Sequence, residues 1–405
     1  MKLDNSKKSD REMLQIYDYI YKQIISCKND MELVRGKVYK FEDNSEYINF
    51  LIDDVENIIN SLDYLELSCE CALSGEEDSF FTFTTFYRSI IVSMIIISGK
   101  IHKVVNNINL DRDVLHAYYR IKSYIECELK EWRNEIEHDI DPFYNGDVYN
   151  IIRNLTLRKV IRFINEVNYI IDSLSISKFN ITSYKKFDIH YNVTPLEERK
   201  EMISKVKETY LKLSEMVIEL SFISEEKGLT IEERNIFDLG LKLLELNKAL
   251  KYIDQYRNML GKDYEDITKS FIRAGIIINY EIFDKLGYYF NIEYTLELPY
   301  KKTYFKEAIK KIRDNQAEYS ELIKSSCLLC DNEAYKQLSK IRQCIIHDKG
   351  IIIDYNRDKE IIYSLIRINF IEVQNIVYII FKEYFKKKGY SVSQKAKDEL
   401  NIKLQ

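Results

Sequence analysis

An all-α chain is the fold class this sequence predicts, on three observations. Punctuation is scarce: 3 Pro and 11 Gly among 405 residues are too few for a sheet-rich or loop-rich fold. Apolar residues recur at helical spacing over long windows. Hydrophobic residues make up 46% and charged residues 31%, the balance of a globular protein with a buried core. The length suits two or three domains, each with a core of its own.

Met13, Ile16, Ile20, Ile24 and Ile25 predict a first helix over 9–29. Phe50, Leu51, Val55, Ile58, Ile59, Leu62 and Leu65 predict a second over 45–73, ended by the turn at Gly75-Glu76-Glu77-Asp78. The Ile-rich stripe over 79–106 is the third. Asp111 caps a fourth that runs through Leu115, Tyr118, Ile121, Ile125 and Leu129 to Trp132 and Ile136. It ends near His138, because Pro142 and Asn145-Gly146 follow. A fifth covers 147–175. Periodicity then lapses over 176–196. Helices resume at 197–225, 231–260 and 264–288, with 289–301 as a loop or short hairpin. Further helices are expected at 302–326, 332–346 and 358–387, with a short tail helix at 394–403.

A formal charge of −5 argues against a protein that coats nucleic acid broadly. Seven cysteines without a signal-peptide h-region point to reduced thiols in the cytoplasm. The apolar run Ile90–Ile97 is too short to span a bilayer, and Arg367 and Glu372 interrupt the longer stretch from Ile361 to Phe381. Both are expected as core helices, with no membrane involved. Cys327-Leu328-Leu329-Cys330 has no second pair or neighbouring histidines, so no metal site is expected there. No cofactor motif is present, neither a Gly-rich phosphate loop nor H-E-x-x-H nor G-x-S-x-G.

The chemistry-bearing pattern is a repeated one. Glu131–Asp139 reads E-W-R-N-E-I-E-H-D, and Lys340–Asp348 reads K-I-R-Q-C-I-I-H-D. Arg133 and Arg342 are 209 positions apart, as are His138 and His347, two of only five histidines. Flanking residues repeat as well. Phe86-x-Arg88 matches Phe271-x-Arg273 at an offset of 185, and Tyr169-Ile170-Ile171 matches Tyr378-Ile379-Ile380 at 209. Two diverged copies of one helical domain are therefore expected, packed about a pseudo-twofold axis. The first spans 1–180, a linker 181–196, and the second 197–405 with an insertion near 289–315.

Two all-helical domains, each with R-x4-H near the end of a core helix, resemble tandem HEPN domains. Such domains occur in dimeric toxins, in abortive-infection proteins and in type VI CRISPR effectors. The resemblance implies a metal-independent endoribonuclease with one composite site, serving bacterial anti-phage defence or a toxin system. One histidine would take the ribose 2′-hydroxyl proton and the other would protonate the leaving 5′-oxygen, a pairing suited to imidazoles that titrate near neutrality. Arg133 and Arg342 would bind the scissile phosphate. Products would be a 2′,3′-cyclic phosphate and a 5′-hydroxyl. Asn134 and Gln343 would orient a histidine or a phosphate, each being the i,i+4 neighbour of its histidine. Asp139 and Asp348 would cap the following turn or hydrogen-bond an imidazole. The second copy departs from the family pattern, with Gln343 where Asn is usual and apolar residues at 344–346. The tyrosine through which nucleotidyltransferase antitoxins act is replaced by Ile140 and Lys349.

Lys301, Lys302, Lys306, Lys310 and Lys311 are candidates to guide RNA, with Tyr300, Tyr304 and Phe305 beside them to stack bases. Lys386–Lys388 form a second basic cluster. Solvated helix faces account for such runs more often than RNA guidance does. The expected partners are an RNA substrate and an antitoxin or regulatory protein, with a monomer sufficient for the composite site and a homodimer compatible with it. The alternative is a catalytically silent HEPN scaffold that binds RNA, a nucleotide or a protein. A structural helical interaction protein is the third reading.

Overall fold

The computed structural model describes residues 5–38, 46–75, 79–107, 111–125, 129, 156–176, 185–186, 196–299, 304–315, 320–347, 351–352 and 355–404. Among them the chain is all-α, as expected. The helices are α1 (Asn5–Val38), α2 (Glu46–Leu73), α3 (Ser79–Asn107), α4 (Arg112–Tyr124), α5 (Leu157–Ile176), α6 (Leu196–Lys227), α7 (Ile231–Tyr256) and α8 (Lys262–Glu293). They continue with α9 (Phe305–Asn315), α10 (Glu321–Asp331), α11 (Glu333–His347), α12 (Tyr355–Lys388) and α13 (Gln394–Leu404). The extended pairing among the described residues is a two-residue parallel one, with β1 (Lys185–Lys186) opposite β2 (Ile351–Ile352).

Local sequence explains most of the boundaries. Asp111 caps α4 as expected, its carboxylate accepting from the Arg112 amide. Thr230 and Glu233 form a reciprocal capping box at the start of α7: Thr230 N–H donates to Glu233 Oε2 at 2.8 Å, and Glu233 N–H to Thr230 Oγ1 at 3.2 Å. The stretch expected as one helix over 302–326 is two, because Ser320 starts a new helix by accepting from the Ile323 amide. No hairpin forms in the described part of 289–301. Instead α8 runs on to Glu293, and Thr295 and Glu297 take positive φ of 48° and 54°. Asn291 holds that turn, accepting from Leu298 N–H at 2.9 Å and donating to Leu298 O at 3.2 Å. The expected continuation of the fourth helix to His138 and the start of the fifth at 147 lie outside the described residues.

The chain divides into two compact units that are discontinuous in sequence. One comprises Met1–Asp188, Tyr256–Ala274 and Gln343–Asp354; the other comprises Ile189–Gln255, Gly275–Arg342 and Tyr355–Gln405. The segments 256–274 and 343–354 of the second half therefore belong with the first.

In the first unit α2 packs along α3, α1 on α2 and α5, and α4 on α5 and α3. The start of α8 joins this core through Phe271, whose ring meets Phe86 edge-on at 5.7 Å and stacks on Phe81 at 6.1 Å. A charged cluster lies beneath. Buried Asp54 binds Lys100 Nζ at 2.5 Å and Arg273 Nη2 at 2.8 Å, and Arg273 Nη1 donates to Ser93 Oγ at 2.8 Å. Burial pushes the Asp54 carboxyl up, but the charges and hydrogen bonds of Lys100 and Arg273 outweigh it and hold the group below its ordinary value.

In the second unit α12 packs against α10 and α6, and α13 against α6. Phe283 is central to an aromatic core, 4.7 Å from Tyr335 and 5.6 Å from Phe305. Gly240 allows close helix approach, since a Cβ there would meet Val217 and Phe381 at 2.5 and 2.7 Å. Buried Lys242 bridges Glu245 and Glu281 at 2.9 Å each, and Lys285 pairs with Asp238 at 3.7 Å. Lys285 is the counterpart of Lys100 at the 185-residue offset, so each half carries a lysine–aspartate pair whose lysine stands at the matching sequence position.

Among the described residues two helical stretches reach the length and apolarity of a membrane span, Phe81–Val105 and Asp358–Lys388, and more than half of the most apolar window of each is buried inside the fold. That is the behaviour of core helices.

Candidate functional site

The second R-x4-H copy closes α11. Ala334, Tyr335, Leu338 and Ile341 are the buried positions of that helix. Arg342 follows Leu338 by four residues and Tyr335 by seven, so the helical period carries it back to the packed stripe. Its side chain is 12% exposed. The guanidinium carbon lies 4.3 Å from the centroid of the Tyr280 ring, and Nη2 lies 3.8 Å from Asp284 Oδ2. Tyr280 and Asp284 are one turn apart on α8, which puts them on one face. Burial pushes the Tyr280 phenol up to about 12, against the pull of the Arg342 charge. Gln343 is exposed, and His347 is the last residue of α11, four positions on. The His347 side chain is outside the described residues, as are Arg133, Asn134, His138, Asp139 and Asp348.

Sequence reasoning missed Tyr280 and Asp284. Their spacing of four within a helix is a signal, but nothing along the chain ties it to Arg342, some sixty residues away.

The candidate RNA-guiding lysines divide. Lys306 and Lys310 are exposed one turn apart on α9, sharing its outer face with Glu307 and Asp314. Lys311 donates to the Leu296 carbonyl and helps close the turn after α8. Lys301 and Lys302 are outside the described residues. Near the C-terminus Lys387 pairs with Glu232 at 3.0 Å and Glu293 at 3.9 Å, and Lys388 with Glu232 at 3.5 Å, so much of that charge is compensated within the fold. In the C-x-x-C stretch, Arg313 donates to Cys327 Sγ at 3.0 Å and to Asp331 at 2.6 Å, which ties α9 to α10. The Cys330 thiol is buried and its pKa pushed up to about 12, the setting of an inert core thiol.

Comparison with known families decides the relationship. The model described as HEPN_Cthe2314-like HEPN matches residues 163–378, just over half of the chain. The chain belongs to the HEPN family. The matched HEPN span contains Arg342, Gln343 and His347 together with Tyr280 and Asp284; the Arg133–His138 copy precedes it. It also crosses the 181–196 stretch expected as a linker between two copies. Neither a curated protein nor a solved structure matches the chain.

Proposed function

We propose that this HEPN protein is a metal-independent endoribonuclease in which Arg133, His138, Arg342 and His347 act on one RNA phosphate. The supporting observation is that an intact R-x4-H motif stands at the end of a core helix inside the span that matches the HEPN family. The two histidines would share the acid and base roles, and the arginines would carry the charge that builds on the phosphate. Two further features support the pairing of the motif copies. Gln343–Asp354, the segment bearing His347, groups with the unit built mainly from the first half. Phe86 and Phe271, aligned by the internal repeat, touch one another. A cytoplasmic role in defence or as a toxin, with RNA as substrate and a protein regulator, is the setting that suits this chemistry.

The small exposure of Arg342 favours a second reading, a catalytically silent HEPN scaffold. Incubation of the purified chain with total RNA and EDTA separates the two. Cleavage with 2′,3′-cyclic phosphate ends, abolished by His138→Ala or by His347→Ala at unchanged melting temperature, is expected. Undiminished cleavage by the double histidine variant overturns the site.

A further inference from the structure

Arg342 differs from the other well-placed arginines in how it is held. Arg120 spends Nε and Nη2 on Glu166 at 2.7 and 2.6 Å, and Arg273 spends Nη1 and Nη2 on Ser93 and Asp54 at 2.8 Å. Arg313 grips Asp331 and the Cys327 carbonyl at 2.6 and 2.9 Å. Those guanidiniums are structural clasps, each making at least two hydrogen bonds at full strength. Arg342, with its side chain 12% exposed, is more enclosed than Arg120 at 50% or Arg313 at 34%, yet it makes no hydrogen bond to a described residue. Its Nε–H is buried without a partner, and the 3.8 Å to Asp284 is beyond hydrogen-bond length.

A planar cation is fixed by two constraints. The Tyr280 ring, 4.3 Å from the guanidinium carbon, sets its tilt by stacking. The Asp284 carboxylate, to one side, sets its rotation within the plane without taking up a donor. The result is a guanidinium with a defined orientation and donors that no described residue takes up, the state that binding a phosphate bidentately requires. At the 185-residue offset Ile95 and Gly99 stand at the corresponding positions of the first half, so the sequence encodes this polar cradle in the second half alone.

We infer that Tyr280 and Asp284 are positioning residues that hold the Arg342 guanidinium ready for the scissile phosphate of RNA, an inference that rests on the ribonuclease reading above. They touch Arg342 and not the substrate, so they act through it.

The test is a double-mutant cycle on single-turnover cleavage of a labelled RNA in EDTA, with melting temperatures measured alongside. Asp284→Asn and Tyr280→Leu are expected to lower the cleavage rate constant about tenfold or more, with a smaller but measurable loss of RNA binding, because a misaimed charge weakens the transition state more than substrate binding. Tyr280→Phe, which keeps the ring, is expected to restore the rate lost in Tyr280→Leu. In an Arg342→Ala background neither Asp284→Asn nor Tyr280→Leu should cost anything further. Equal losses with and without Arg342, or no loss at all, overturn the inference; a general loss of fold would show as additive losses with falling melting temperatures. Should the wild type fail to cleave RNA, the ribonuclease reading falls by itself. The same cycle is then read by fluorescence anisotropy of a short single-stranded RNA on His347→Ala. Weakened binding by Asp284→Asn that vanishes without Arg342 supports positioning, and binding indifferent to Asp284 overturns it.

Discussion

The buried ion cluster of the first unit offers the sharpest test of the packing. Asp54→Asn keeps the shape of the side chain but leaves Lys100 and Arg273 facing each other without their shared anion. Both cationic side chains are at most 10% exposed, so water cannot replace the lost carboxylate. Removing one partner of such a buried pair costs about 3–5 kcal/mol. At about 2–4 °C per kcal/mol for a unit of this size, the melting temperature should fall by roughly 10 °C near neutral pH. The loss also has a pH signature. The Asp54 carboxyl is held below its ordinary 3.8 in the folded state, so its contribution is complete above that pH and is lost as the pH falls through the folded value. The gap between wild type and Asp54→Asn should therefore close below that pH. Thermal melting followed by circular dichroism across the acid range measures both effects. Replacing all three charges together (Asp54→Leu, Lys100→Met, Arg273→Met) should be nearly neutral, since the desolvation cost goes with them. A melting temperature unmoved by Asp54→Asn, or a gap that persists unchanged into acid, would refute the account.

Other expectations follow from the second unit. Thr230→Ala, which breaks the capping box of α7, should cost about 1 kcal/mol in urea unfolding. Burial raises the Glu233 carboxyl, but hydrogen bonds from Thr230 and Tyr390 prevail and lower it to about 2. The stability difference between wild type and Glu233→Gln should accordingly be full above the ordinary 4.5 and fade as the pH drops toward that value of about 2. Gly240→Ala should destabilise by about 1–3 kcal/mol, because a Cβ 2.5 Å from Val217 forces the helices apart. That exceeds the gain of up to about 1 kcal/mol in helix propensity, and an unchanged or raised urea midpoint would show that the approach is looser than described.

Helix after helix could be read from the chain because the signals are local. The stripe Phe50, Leu51, Val55, Ile58, Ile59, Leu62 and Leu65 is the buried or half-buried face of α2, and Asp111 caps α4 where a short acceptor before a periodic run should. The break at Ser320 was harder to see, since apolar residues continue in helical register on both sides and only the cap interrupts them. The R-x4-H copy at Arg342 and His347 was legible as a motif, and the match over 163–378 bears out the resemblance to a HEPN domain.

The sequence by itself determined the all-α class, the positions of most of the described helices and the presence of residue types able to do acid–base chemistry. Those properties depend on a period of 3.6 residues and on side-chain identity, both present in any short window. Tertiary structure alone decided that Asp54 meets Arg273 across 219 positions and that Tyr280 and Asp284 flank Arg342. Such contacts follow from how whole helix faces close on one another, and an amphipathic stripe states that a face will be buried without naming what will cover it.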